Sequence, residues 1–205
     1  MATTPILSSP QYLVWELFQA LRRLCERVGE SHIAQNESVS RQDAALCTIL
    51  AVQCVEVFFN VYFKVLINEP DYAHANEKIS NDLDNTMYSL EKKIKEWPRH
   101  AFGKGLDLGG GAGQKFIALK ERRNRLIHFT SSHVTFSMPG FAIYGMADTT
   151  DYHSLTAKSA IDALQTAEAF LCEIFMLRGI SPENLSSALH SWTGKPLIRK
   201  QSTAS

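Results

Sequence analysis

Cysteine is sparse in this chain and carries no metal-binding or redox spacing. Cys25, Cys47, Cys54 and Cys172 form no C-x-x-C pair, and each falls in a stretch that reads as helix. This argues against a zinc ribbon or a disulfide framework and leaves reduced core thiols of a cytosolic protein. Histidine is equally dispersed: His32, His74, His100, His133, His153 and His190 supply no H-x-x-x-H and no paired-carboxylate metal spacing. Neither a metal nor a cofactor is expected. There is no excess of charge of either sign, since 21 Lys and Arg balance 21 Asp and Glu. Global electrostatics therefore do not advertise a nucleic-acid binder. No stretch reaches the ~18 uncharged apolar residues of a membrane span; the nearest, Ala44 to Phe63, is broken by Gln53, Glu56 and Asn60. Met1 to Pro5 shows no basic region leading into an apolar one, so no secretory signal is evident and a cytoplasmic location is expected. The G-x-x-x-x-G-K-[ST] loop of nucleotide-binding proteins is missing as well.

What is present is helical periodicity. With 205 residues, 45% of them hydrophobic and 20% charged, the chain is most economically one domain, 1–205, able to bury a core. Leu13 to Val28 carries an apolar face of Trp15, Leu17, Phe18, Leu21, Leu24 and Cys25. A second helix enters at Ser38 to Gln42 and runs to about Asn68, where Pro70 ends it. It is apolar almost all round, as befits the central member of a bundle. Asp71 to Trp97 reads as one or two amphipathic helices stopped around Pro98, and the glycine-rich run from Phe102 to Gly113 as a loop. A helix over Phe116 to His128 follows, then a segment without helical period, Phe129 to Tyr152, suited to a loop or short β-ribbon. Helix resumes from Leu155 to Arg178, Ser181-Pro182 opens a short helix through Trp192, and residues 194–205 form a frayed tail. The expected fold is all-α, an up-and-down bundle of four to five principal helices with its core at about residues 10–178.

The helix over Phe116 to His128 does something a purely structural helix avoids. With Arg123 at zero and roughly 100° per residue, Phe116 lies near 20°, Leu119 near −40°, Leu126 near −60° and Ile127 near 40°. An arginine thus occupies the centre of an apolar stripe, flanked by Asn124 and His128. A guanidinium cannot shed its charge, so it needs an anionic partner or a wet cleft. Otherwise it snorkels into an ordinary salt bridge, with His128 as a cation favoured by the helix C-terminus. Basic residues also concentrate here: Lys115, Lys120, Arg122, Arg123 and Arg125 stand against Glu121 alone, so any RNA contact belongs to this stretch.

The order Arg123-Asn124-x-x-x-His128 resembles the R-x4-6-H signature of the HEPN superfamily, all-α proteins of which many are metal-independent ribonucleases. The resemblance covers the helical chain from the first helix to about Arg178. It implies RNA as substrate, Arg123, Asn124 and His128 as the catalytic set, and a toxin, defence or RNA-processing role. Arg123 would hold the phosphate, His128 would move the protons, and Asn124 would orient the imidazole. In that family two motifs often face each other across a homodimer interface. The apolar residues Phe129, Val134, Phe136, Met138, Phe141, Ile143 and Tyr144 beside the motif fit a surface to be covered in this way. A toxin subgroup has Tyr two residues after the His; Thr130 stands there in this chain, so an antitoxin partner that modifies this position is not implied. The alternative is a HEPN-fold RNA-binding or dimerisation module without turnover.

Two further patterns bear on the site. Gln53, Glu56, Asn60 and Lys64 make one polar seam on the second helix, from which Glu56 is a candidate to orient Arg123. Asp107 to Gly113 spells D-x-G-x-G-x-G, which resembles the cofactor loop of Rossmann-like methyltransferases. That loop requires a buried strand before it, and Arg99 to Gly105 is no strand.

Overall fold

The long apolar stripes in the sequence are buried against one another in the computed structural model, except that Leu13 and Trp15 at the start of the first helix are exposed; residues 8–85, 88–128, 134–146 and 149–195 are described. Helix α1 (Tyr12–Ile33) and helix α2 (Glu37–Leu66) form a hairpin. Asn36 caps α2 by accepting from the Val39 N–H, and Arg27 of α1 pairs with the buried Asp43 of α2. A 3₁₀ turn at Pro70–Ala75 leads into α3 (Asn76–Asp84) and α4 (Leu90–Phe102). Then come α5 (Gly111–His128), the strands β1 (Val134–Met138) and β2 (Phe141–Met146), and the short α6 (Thr150–His153). Helix α7 (Ala157–Leu177) and, after a 3₁₀ turn at Pro182–Asn184, α8 (Leu185–Thr193) complete the described chain.

The architecture is all-α apart from one antiparallel hairpin, in which Val134 pairs with Met146 and Met138 with Phe141. That hairpin is the ribbon expected after the motif helix. Five helices, α1, α2, α4, α5 and α7, have 13 residues or more. Helix α2 is long and apolar enough to cross a membrane, yet Val52, Val55, Phe58, Phe59 and Phe63 are fully enclosed by the other helices. An aromatic layer forms the centre: Phe58, Phe59, Tyr62 and Phe63 of α2 meet Phe170 and Phe175 of α7, Trp97 of α4 and Trp192 of α8.

Two boundaries differ from expectation. Pro98 lies inside α4, which continues to Phe102. The proline removes one hydrogen bond, but its ring is buried, and the helix stops only where Gly103 adopts φ 68° and donates to the Arg99 carbonyl at 3.0 Å. Helix α6 falls within the segment expected to be non-helical, since four residues are too few to show a helical period. Of the tail expected to fray over 194–205, Gly194 and Lys195 are held against α1, where the Lys195 carbonyl accepts from Gln19 at 2.9 Å; positions 196–205, and residues 129–133 after the motif helix, lie outside the described residues.

Candidate functional site

Helix α5 is docked by Phe116, fully buried and stacked on Phe170 of α7 with ring centroids 4.3 Å apart and planes 9° off parallel. Its entry is the glycine-rich loop. The Asp107 carboxylate accepts from the Gly109 N–H at 2.9 Å, which closes a tight turn. Gly113 lies so close to that turn that an added Cβ would sit 1.9 Å from the Asp107 carbonyl oxygen. The D-x-G-x-G-x-G run therefore acts as packing at a helix entrance, and the element before it is α4 rather than a strand.

Of the lysines and arginines of α5, Lys120, Arg122 and Arg125 have partners among the described residues, whereas exposed Lys115 and half-buried Arg123 have none. Lys120 donates to Glu91 of α4 at 2.8 Å, and with Lys95 it holds the Glu91 carboxyl down to about 2. Arg125 makes a two-pronged ion pair with Asp151 of α6, and Arg122 donates to the Ser154 hydroxyl at 3.1 Å. Arg123 is half-buried and makes no hydrogen bond or ion pair among the described residues, and the same holds for half-buried Asn124. Position 128 closes the last turn of α5; its side chain lies outside the described ones. Glu56 does not orient Arg123. Its carboxylate is 3.9 Å from the Lys93 ammonium, which donates to Asn60 Oδ1 at 2.9 Å. Glu56 and Asn60 of the α2 seam thus face α4, while Gln53 and Lys64 are exposed, and the candidate orienting role falls away.

A groove of about 800 Å³ runs between α5 and α7 with Thr48 of α2 also in its wall. Lys115, Leu119, Arg122 and Arg125 line it from one side, Lys158 and Asp162 from the other. In helical projection the α5 lining centres near −100° from Arg123, so Asn124 at roughly 100° lies on the far side of the helix. Arg123 and Asn124 are not part of the groove wall. The motif residues Arg123 and Asn124 and the groove lining thus share helix α5 but lie on different faces of it. Asp151, Ser154 and Lys158 come from a distant segment and carry no local signal. Among the described residues no group of His, Cys, Asp and Glu is placed to hold a metal ion. No protein-family model, curated protein or solved structure matches this chain.

Proposed function

We propose that this chain is a HEPN-type endoribonuclease that cleaves RNA without a metal, acting in the cytoplasm in a toxin, defence or RNA-processing context. The observation that supports this best is Arg123: a guanidinium half-removed from water, with no hydrogen-bonding or ionic partner among the described residues, on a helix where the nearby Lys120, Arg122 and Arg125 are partnered. An arginine kept in that state is suited to an anion supplied from outside, and a phosphodiester is such an anion. In this reading Arg123 holds the phosphate and stabilises its developing charge. His128 takes the 2′-hydroxyl proton or protonates the leaving oxygen, and Asn124 fixes the imidazole or a phosphate oxygen. Ile127 in the last turn of α5 is exposed, and a two-fold homodimer that covers it brings two motifs together.

The test is cleavage of single-stranded RNA in EDTA. Wild-type protein should cut, while His128→Ala and Arg123→Ala should lose activity with helical content unchanged. Full activity in either variant removes the motif from the mechanism. The second reading is a HEPN-fold RNA-binding or dimerisation module without turnover. It is favoured by the placement of Arg123 and Asn124 outside the groove wall, and it predicts binding without cleavage by the wild type.

A further inference from the structure

The groove between α5 and α7 holds four cations, Lys115, Arg122, Arg125 and Lys158, against two carboxylates, Asp151 and Asp162. On a chain of zero formal net charge this is a local positive surplus. Asp151 is already engaged by Arg125 and Arg122 is tied only to the neutral Ser154 hydroxyl, so Lys115, Arg122 and Lys158 line the cavity with Asp162 as the one carboxylate left to them there. Lys115, Arg122 and Arg125 are spaced i, i+7 and i+10, which sets them on one stripe about 15 Å long. That is longer than one phosphate and matches a run of them. Lys158 closes the track from α7, beside the uncharged hydrogen-bonding groups of Gln165 and Thr166. The stripe ends at Arg125, three residues before position 128, so a strand lying along it is led to the last turn of α5.

We infer that this groove holds the backbone of single-stranded RNA, with Lys115, Arg122 and Lys158 on successive phosphates. The choice of RNA among polyanions rests on the ribonuclease reading, whereas the polyanion track itself rests on the groove. A strand is favoured over a duplex because a cleft between two helices admits splayed nucleotides and excludes a paired helix.

The test is fluorescence anisotropy of the full chain with a short 2′-O-methyl RNA, which binds but offers no 2′-hydroxyl for cleavage. Three phosphate contacts on a single strand give a slope of about −2 for log affinity against log salt. Arg122→Ala and Lys158→Ala should each flatten that slope by about 0.7 and weaken binding about five-fold near 0.1 M salt. Lys64→Ala, on the exposed face of α2 away from the groove, should leave both unchanged. Far-UV circular dichroism checks that each variant is folded. The proposal is overturned if wild type does not bind, if the groove variants bind like wild type, or if Lys64→Ala weakens binding as much. It is also overturned if an oligoglutamate peptide occupies the groove more tightly than the RNA, which would make it a site for an acidic protein segment. Groove-dependent binding without cleavage in EDTA would sink the nuclease reading and leave the RNA track standing.

Discussion

Two arginines on apolar helix faces show how differently one residue type is used. Arg22 is 5% exposed, and its guanidinium is saturated: it donates to Glu168 at 2.6 Å and to the Thr193 hydroxyl at 2.9 Å, and also to the Thr193 carbonyl. Arg123 has no such set among the described residues. Arg22→Leu should therefore destabilise by about 3 kcal/mol, because Glu168 and a buried carbonyl lose their donor. Arg123→Leu should change stability by less than about 0.5 kcal/mol, or raise it, while abolishing RNA cleavage. Urea unfolding of both variants decides this; a large loss of stability in Arg123→Leu would show a structural role and count against the proposed site. Arg22→Lys should recover little of the loss, since an ammonium cannot reproduce the fork that spans Glu168 and Thr193.

Helix α5 is held to α7 by a stacked ring pair, to α4 by the Lys120–Glu91 clamp and to α6 by the Arg125–Asp151 ion pair. Phe116→Ala removes the stack on Phe170 and should cost about 3–5 kcal/mol, read as a shift of the denaturation midpoint. The Lys120–Glu91–Lys95 clamp is worth far less, because Glu91 is about half exposed and screened. Its carboxyl is held low, so its contribution is complete above the ordinary value of 4.5 and is lost as pH falls toward about 2. Glu91→Gln should destabilise by less than about 1 kcal/mol at neutral pH. The gap to wild type should close near pH 2 in paired urea titrations, and a gap that widens on acidification would contradict the clamp. At this scale much was legible in advance. The stripes of α1 and α7 have a clear helical period, α2 reads as a central helix because it is apolar almost all round, and loss of that period marks the segment that holds the β-hairpin. Pro98 misleads because the penalty for an interior proline is weighed against burial, which only the folded chain reveals. Glu56 misleads because a helix wheel gives its face but not whether α4 or α5 lies opposite. The groove was half legible: the α5 cations stand together in sequence, while Lys158 joins them only through the packing of α5 on α7.

At the scale of the whole molecule, exposed Ile127 in the last turn of α5 carries the expectation of a closed homodimer. Light scattering should give twice the 23.0 kDa chain mass at micromolar concentration, and Ile127→Glu should return it to a monomer with impaired cleavage. A monomeric wild type would defeat the shared-cleft arrangement. A different property follows from the contact of α1 with the far end of the described chain. Gln19 donates to the Lys195 carbonyl across 176 positions, and Arg22 reaches Thr193 across 171. At Gly194, φ is 72° and an added Cβ would sit 1.6 Å from the Trp15 indole nitrogen, so this closure tolerates no side chain. During synthesis α1 emerges first and waits for roughly 10–30 s, at ordinary elongation rates, before Thr193 exists to receive its guanidinium. The α1–α2 hairpin can form early with a charged group still open to water, and its closure onto α8 waits until Thr193 and Gly194 have been made.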